Sequence, residues 1–170
     1  MTKKSKPALP NINVGCGEFP AEGYVNVDIT SKGGPTPDVE ASVLDLPFTA
    51  GSAQKIFAGH VLEHLHMEDI PTALSELKRV LSKNGTLLVV GPDADRARNN
   101  FPEALDGIIH GDNRWSGDAH HWESTEEVTE RLLQDSGWNT RVIPIESSEL
   151  DVWPVTSRIG WQFAIFATKA

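Results

Sequence analysis

Short apolar runs alternate with amphipathic stretches along most of the chain. Four runs in the first third are each bounded by Gly, Pro, Asp or Ser, a pattern that is typical of strands. They cover residues 12–14, 24–28, 41–45 and 55–59. The apolar residues from Ile70 to Leu81 then recur at intervals of three and four, which predicts a helix that ends at Asn84-Gly85.

The second half resumes this alternation after an irregular stretch. Residues 86–90 are continuously apolar, as in a strand that is covered on both faces. Residues 92–123 show no periodicity and predict a long irregular insertion. Ser124 and Glu127 have the spacing of a capping box and predict that a helix begins there.

Two further strands, at 140–145 and 160–168, complete the pattern, and Pro144 favours an edge position or a strand end for the first of them. Strands that alternate with helices predict an α/β fold with a mostly parallel central sheet and helices on both faces. We expect one domain over 11–170, preceded by a basic flexible tail at 1–10.

In such sheets a ligand binds beyond the carboxyl ends of the strands, so the residues that follow each strand are the candidate site. The first strand leads into a turn of small residues, and the second, third and fourth strands each lead into a polar residue. In chain order these positions are Gly15, Cys16 and Gly17, then Asp28 with Ile29, then Asp45 with Leu46, then Gly59 with His60.

The connection between the first two strands is unusually short. Only residues 18–27 separate Gly17 from Asp28, whereas a parallel crossover with its helix takes about a dozen residues or more. The first helix is therefore predicted to be one turn long or missing. Asp28 can accept hydrogen bonds from the hydroxyls of a ribose, or it can be a turn-forming aspartate.

Composition restricts the partners more than the fold. The chain of 170 residues carries a formal net charge of −9, which opposes binding to phosphate backbones and predicts no nucleic-acid partner. No apolar run is long enough to span a membrane, and the basic start lacks the apolar region of a signal peptide. We therefore expect a cytoplasmic protein with a small-molecule partner, as a monomer or homodimer.

The strand-end motifs together resemble those of class I S-adenosylmethionine-dependent methyltransferases, with their Rossmann-like sheet. The resemblance rests on INVGCG, YVNVDI, LDLPF, IFAGHVLEHL and ALSELKRVLSKNGTLLVVGPD. It is greatest to small, methyltransferase type 11-like members that have a reduced first helix.

The resemblance implies S-adenosylmethionine as the cofactor and assigns a role to each strand end. Gly15, Cys16 and Gly17 would hold the methionine part, Asp28 with Ile29 the ribose, Asp45 with Leu46 the adenine, and His60 would lie beside the methionine end. Many members of the family have an acid in place of Asn13 and a third glycine in place of Phe19.

The sequence identifies the acceptor-binding half of the site less clearly than the cofactor-binding half. We expect it within residues 92–122, together with residues 147–160, and the candidate general bases are His60, Asp93 and His121. A histidine suits proton removal near neutral pH. Trp115 and Trp122 either line the acceptor pocket or anchor the loop to the core.

Two alternatives remain open. His64 and His66, followed by Glu68 and Asp69, resemble the metal motif of metallo-β-lactamase-like hydrolases, although the match is imperfect and we expect no metal site. The chain could also be a methyltransferase-like module that binds the cofactor, or a partner, without catalysis.

Overall fold

A computed structural model of the chain describes residues 9–30, 35–111 and 118–170. The strands are β1 (Asn11–Val14), β2 (Tyr24–Asp28), β3 (Val39–Glu40), β4 (Ala53–Gly59), β5 (Leu81–Pro92), β6 (Trp138–Ile143) and β7 (Gln162–Lys169). The α-helices are α1 (Ile70–Val80), α2 (Ala94–Asn100), α3 (Leu105–His110) and α4 (Glu126–Asp135). Short 3-10 helices span Leu62–His64, Pro102–Ala104 and Ser148–Val152.

The strands form one seven-stranded sheet in the order β3-β2-β1-β4-β5-β7-β6. The first five strands are parallel to one another, and β7 lies antiparallel between β5 and β6. This confirms the predicted α/β class, and β6 is the edge strand that Pro144 indicated. The strand order reverses between β1 and β4, and a ligand crevice is expected beyond the carboxyl ends at such a point.

The two faces of the sheet are covered differently. Ile56 and Ala58 belong to a core that packs under α1 and α4, whereas Phe57 between them points to the opposite face. There it meets Leu150 of the Ser148–Val152 helix and Trp153. The Ser148–Val152 helix and Trp153 therefore cover the sheet at Phe57.

No helix connects β1 to β2, as the spacing predicted, and residues 15–23, all of them described, form turns. A buried pair of asparagines holds this connection in place. Asn13 Nδ2 donates to Asn26 Oδ1 at 3.0 Å, and the same oxygen accepts the N–H of Ala21 at 2.7 Å. Asp38 Oδ2 in turn accepts from the backbone N–H of Asn26 at 2.8 Å. Side-chain hydrogen bonds therefore hold this connection against the sheet, as a packed helix does in a longer crossover.

The predicted strand at 41–45 is wrong, because β3 ends at Glu40 and a turn follows. The Ser42 hydroxyl accepts the N–H of Leu44 at 3.2 Å, and the Ser42 carbonyl accepts that of Asp45 at 3.1 Å. Serine favours such local turns over extended backbone.

The predicted irregular insertion at 92–123 contains α2 and α3. Both helices are too short to show a convincing period in the sequence. Residues 112–117, with Trp115, and residues 1–8 of the predicted tail lie outside the described residues.

The N-cap of α4 is Thr125, whose side chain accepts the N–H of Val128, so the capping box predicted at Ser124 is wrong by one residue. Ser124 instead donates its hydroxyl to the Pro92 carbonyl at 2.7 Å. Adjacent Ser and Thr give the same sequence signal, and the buried carbonyl at the end of β5 decides which of them is the cap.

Candidate functional site

A large cleft opens beyond the carboxyl ends of β1, β2 and β4. Its volume is about 1320 Å³, which exceeds that of most small-ligand pockets, about 300–1000 Å³. Its walls come from the turn after β1, the end of β2, the turns after β3 and β4, and the segments around α3 and before β7. The lining residues used below are Gly15, Cys16, Gly17, Asp28, Ile29, Ser42, Val43, His60, His64, Gly107, Asp118, His120, Thr156, Trp161 and Gln162.

The turn after β1 requires its glycines. Gly15 and Gly17 have φ values of 64° and 48°, in the left-handed region that glycine adopts without strain. A Cβ atom on Gly15 would lie 2.4 Å from Cγ2 of Val61, whereas one on Gly17 would meet nothing within 4 Å. The backbone at Gly17 thus borders open space, where a ligand can approach it closely.

Asp28 is tied to this turn. Its Oδ2 accepts the N–H of Gly17 at 2.8 Å, so the acid at the end of β2 and the glycine turn form one unit. Ile29, the next residue, is 59% exposed at the side of the cleft. Cys16 is buried beside Asp28, and burial together with the carboxylate charge raises the pKa of its thiol to about 11. The thiol is therefore protonated at neutral pH.

Asp45 and Leu46 do not line the cleft. The Leu46 N–H donates to Glu76 Oε1 at 2.7 Å and its carbonyl accepts from Arg79 Nη2 at 2.9 Å, so α1 binds the backbone that the sequence offered to an adenine edge. Ser42 and Val43 occupy that side of the cleft instead.

His60 lies at the carboxyl end of β4 in an unusual conformation. Its φ of 55° is the only positive value for a non-glycine residue among those described. Strained backbone of this kind is concentrated at functional sites. The ring packs edge-on to Trp161, with centroids 6.0 Å apart.

The neighbours of His60 define its tautomer. Gln162 Oε1 accepts the N–H of Ile159 at 2.8 Å, so its Nε2 is the donor to His60 Nε2, 2.7 Å away. His60 Nδ1 then carries the proton and donates to Glu63 Oε1 at 3.0 Å. The result is a chain Glu63–His60–Gln162 in which the lone pair of His60 Nε2 is turned toward the cleft-lining Gln162.

Glu63 is 2% exposed. Burial alone would raise its pKa, but the hydrogen bond from His60 and the positive charges that His60 and His64 carry when protonated hold the pKa below its usual value. A carboxylate at this position orients His60 and stabilises a proton on it, as the third group of a catalytic triad does for its histidine.

Two of the three predicted general bases lie outside the cleft lining. Asp93 is buried and caps α2 through Oδ1, which accepts the N–H of Arg96, while Oδ2 accepts the N–H of Glu126 at the start of α4. His121 is exposed and stacks on His66, with ring centroids 3.9 Å apart. Only His60 of the predicted bases lines the cleft.

The histidines that line the cleft with His60 are His64 and His120. The sequence spacing groups His64 with His66, but in the fold the His64 ring packs against His120, with centroids 4.7 Å apart, and the His66 ring against His121. Trp122 donates its Nε1–H to the Leu62 carbonyl at 3.0 Å, so it anchors the segment, which is one of its two predicted roles.

Among the described residues no helix is long and apolar enough to cross a membrane.

Comparison with known proteins gives a consistent result. A family model described as a methyltransferase domain matches residues 23–89. A search of curated proteins found no match.

Several solved structures are similar to this chain. One is a SAM-dependent methyltransferase of Thermotoga maritima, described as a possible histamine N-methyltransferase, with 16% identity, a TM-score of 0.61, and 98% of this chain and 84% of that chain covered. Another, from Methanosarcina mazei, has 19% identity, a TM-score of 0.61, and coverage of 95% and 92%. A third, from Archaeoglobus fulgidus, has 14% identity, a TM-score of 0.61, and coverage of 95% and 86%. At these identities the structures show a shared fold.

Proposed function

We propose that the chain is a class I S-adenosylmethionine-dependent methyltransferase and that it methylates a small-molecule acceptor in the cleft. The methyltransferase-domain match over residues 23–89 implies S-adenosylmethionine as the cofactor. The observation that carries the proposal is that the strand ends of β1, β2 and β4, with the turn after β3, border one cleft at the point where the strand order reverses.

The residues present fit this cofactor. Gly17 borders open space with an unhindered backbone, which suits the close approach of the methionine part. Asp28, fixed to Gly17, offers carboxylate lone pairs for the ribose hydroxyls, and Ile29 gives the ribose side an apolar contact. Ser42 and Val43, which line the cleft where Asp45 and Leu46 do not, are our candidates for the residues beside the adenine.

When bound, the cofactor supplies an electrophilic methyl group on a sulfonium, which an acceptor atom takes by in-line displacement. The task of the protein is then mainly to align the acceptor with the methyl group. Trp161 and His60, whose rings pack edge-on, line the cleft together with Gly107 and Thr156 and are our candidates for this alignment.

Where the acceptor must lose a proton, His60 is our candidate for the base. Glu63 holds the proton on Nδ1, which leaves Nε2 to accept one once an acceptor displaces the amide of Gln162. The buried carboxylate would stabilise the imidazolium that forms. His121 and Asp93 make no such arrangement with the cleft.

The first test is calorimetric titration of the full chain with S-adenosylmethionine and S-adenosylhomocysteine, with NAD as the control ligand. Ligand at ~100 times its dissociation constant should stabilise the fold by about 2.7 kcal/mol, which raises the melting temperature by roughly 5–10 °C. Bound cofactor carried through purification is excluded first by mass spectrometry.

Two matched carboxylate variants sharpen this test. Asp28→Ala should weaken binding of S-adenosylhomocysteine at least tenfold, whereas Asp45→Ala, which removes an exposed carboxylate outside the cleft, should leave it unchanged. Equal affinities for Asp28→Ala and the wild type would refute the ribose assignment. Tight binding of the cofactor with no transfer to any acceptor in a broad panel would favour the non-catalytic module.

A further inference from the structure

Three metal-binding groups converge at one end of the cleft. One nitrogen from each of His64 and His120 and one carboxylate oxygen of Glu63 lie within 4.8 Å of one another. Glu63 is buried, whereas His64 and His120 are partly exposed and line the cleft. The cluster joins the 3-10 turn after β4 to the segment before α4, so it is formed by the fold and not by neighbouring residues of one helix.

Backbone carbonyls hold both imidazoles in the same tautomer. His64 Nδ1 lies 3.2 Å from the Ala119 carbonyl oxygen, and His120 Nδ1 lies 2.7 Å from that of Ile108. A carbonyl can only accept, so each Nδ1 carries the proton and each Nε2 is left with its lone pair. Metal-binding histidines are typically oriented in this way, with the second ring nitrogen donating to a carbonyl or carboxylate.

The cluster has an excess of lone pairs. Two unprotonated imidazole nitrogens and a carboxylate repel one another unless a proton or a cation lies between them. His60 donates to one oxygen of this carboxylate, Oε1, at 3.0 Å.

Hydrogen bonds outside the cluster fix its two segments against each other. The His121 N–H donates to the Glu63 carbonyl at 2.9 Å, and the Trp122 indole donates to the Leu62 carbonyl. The two histidines therefore need little ordering to act together, which lowers the entropic cost of binding an ion.

We propose that Glu63, His64 and His120 bind a divalent first-row transition-metal ion. Two imidazoles and a carboxylate are a ligand set of catalytic zinc sites and of non-haem iron sites, and both leave open coordination positions. Zinc ligand distances of about 2.0–2.2 Å require the three side chains to close by on the order of 1 Å.

The open positions of the ion face the cleft, because both histidines line it. They would take an oxygen, nitrogen or sulfur donor atom from a small molecule. This use of the ion in orienting an acceptor rests on the proposed methyl transfer, whereas binding of the ion itself does not.

The test uses the full chain without an affinity tag, stripped of metal by chelator dialysis. Zn²⁺ is titrated calorimetrically, and Co²⁺ is titrated with its visible absorption as a reporter of coordination. We expect one equivalent to bind saturably. In the wild type, zinc should shift the Nε2 resonances of two histidines in heteronuclear NMR while their Nδ1 atoms stay protonated, a readout that requires no variant.

Matched variants identify the ligands. His64→Gln and His120→Gln should each weaken zinc binding by on the order of 100-fold, and His66→Gln and His121→Gln, which alter the neighbouring stacked pair, should leave it unchanged. No saturable binding, or equal losses in all four variants, would overturn the proposal. Zinc binding is measured without cofactor or acceptor, so its failure and the failure of methyl transfer are separate results.

Discussion

Asn13 and Asn26 face each other across β1 and β2 as a buried, hydrogen-bonded pair, and Asn13 lies in register with Phe57 of β4. Asn13 also donates to the Phe19 carbonyl at 3.3 Å. The pair thus fixes the loop that replaces the first helix. Asn13 therefore has a structural role in this chain.

This pair makes a prediction about stability. Asn26→Ala leaves the N–H of Ala21 and the amide of Asn13 without their acceptor, so we expect it to lower the free energy of unfolding by about 2–4 kcal/mol. Asn13→Ala should cost less, about 1–2 kcal/mol, because Ala21 keeps its partner. Urea denaturation of both variants and the double variant gives the coupling energy. Additive losses would show that the two side chains act independently.

Which strand ends meet in the cleft was predictable from the sequence, because parallel strands place their carboxyl ends on one edge. Gly15, Gly17, Asp28 and His60 could therefore be identified from position alone. The missing first helix was predictable too, since chain length limits what residues 18–27 can form.

The remainder of the site depends on tertiary partners that spacing does not reveal. Leu46 was assigned to adenine, but Glu76 and Arg79, about thirty residues later, bind its backbone. The position of Asp93 directly after a strand suggests a base, yet a residue there is also the natural cap of the next helix. His120 was indistinguishable from His121 until the Ile108 carbonyl fixed its ring.

The two glycines of the turn should differ in their tolerance to substitution. Gly15→Ala adds a clash with Val61 to the cost of a left-handed alanine, so we expect a loss of about 2–4 kcal/mol and at least tenfold weaker binding of S-adenosylhomocysteine. Gly17→Ala meets no protein atom and should cost about 1–2 kcal/mol. Thermal and urea denaturation measure both, and Val61→Ala should partly rescue Gly15→Ala. Without such rescue, the clash is not the cause.

The raised pKa of the Cys16 thiol predicts a loss of stability at alkaline pH. Burial and the neighbouring Asp28 raise the pKa of its thiol from 9.0 to about 11 in the folded chain. The folded state then holds the proton longer than the unfolded state. The contribution is fully present below pH 9.0 and is lost as the pH rises toward 11.

The measurement is urea denaturation from pH 8 to about pH 11, with Cys16→Ala as the comparison. The stability of the wild type should fall relative to the variant by on the order of 2 kcal/mol over this range. Burial also raises the pKa of Tyr24, which gives a decline of the same sign in both proteins, and the difference between them cancels it. Parallel curves would mean that the thiol titrates normally in the fold.

Variants of Asp93 distinguish a capping role of this residue from a catalytic one. Its two carboxylate oxygens accept backbone N–H groups at the starts of α2 and α4, so Asp93→Ala should lower the free energy of unfolding by roughly 2–3 kcal/mol. Asp93→Ser keeps one good cap and should lose about half as much. Because Asp93 does not line the cleft, both variants should bind S-adenosylhomocysteine within about threefold of the wild type at temperatures where they are folded. The opposite result would be an Asp93→Ser variant that is stable and binds the cofactor but no longer transfers a methyl group to an identified acceptor. This would show that Asp93 takes part in the reaction, since a cap alone cannot affect the chemical step.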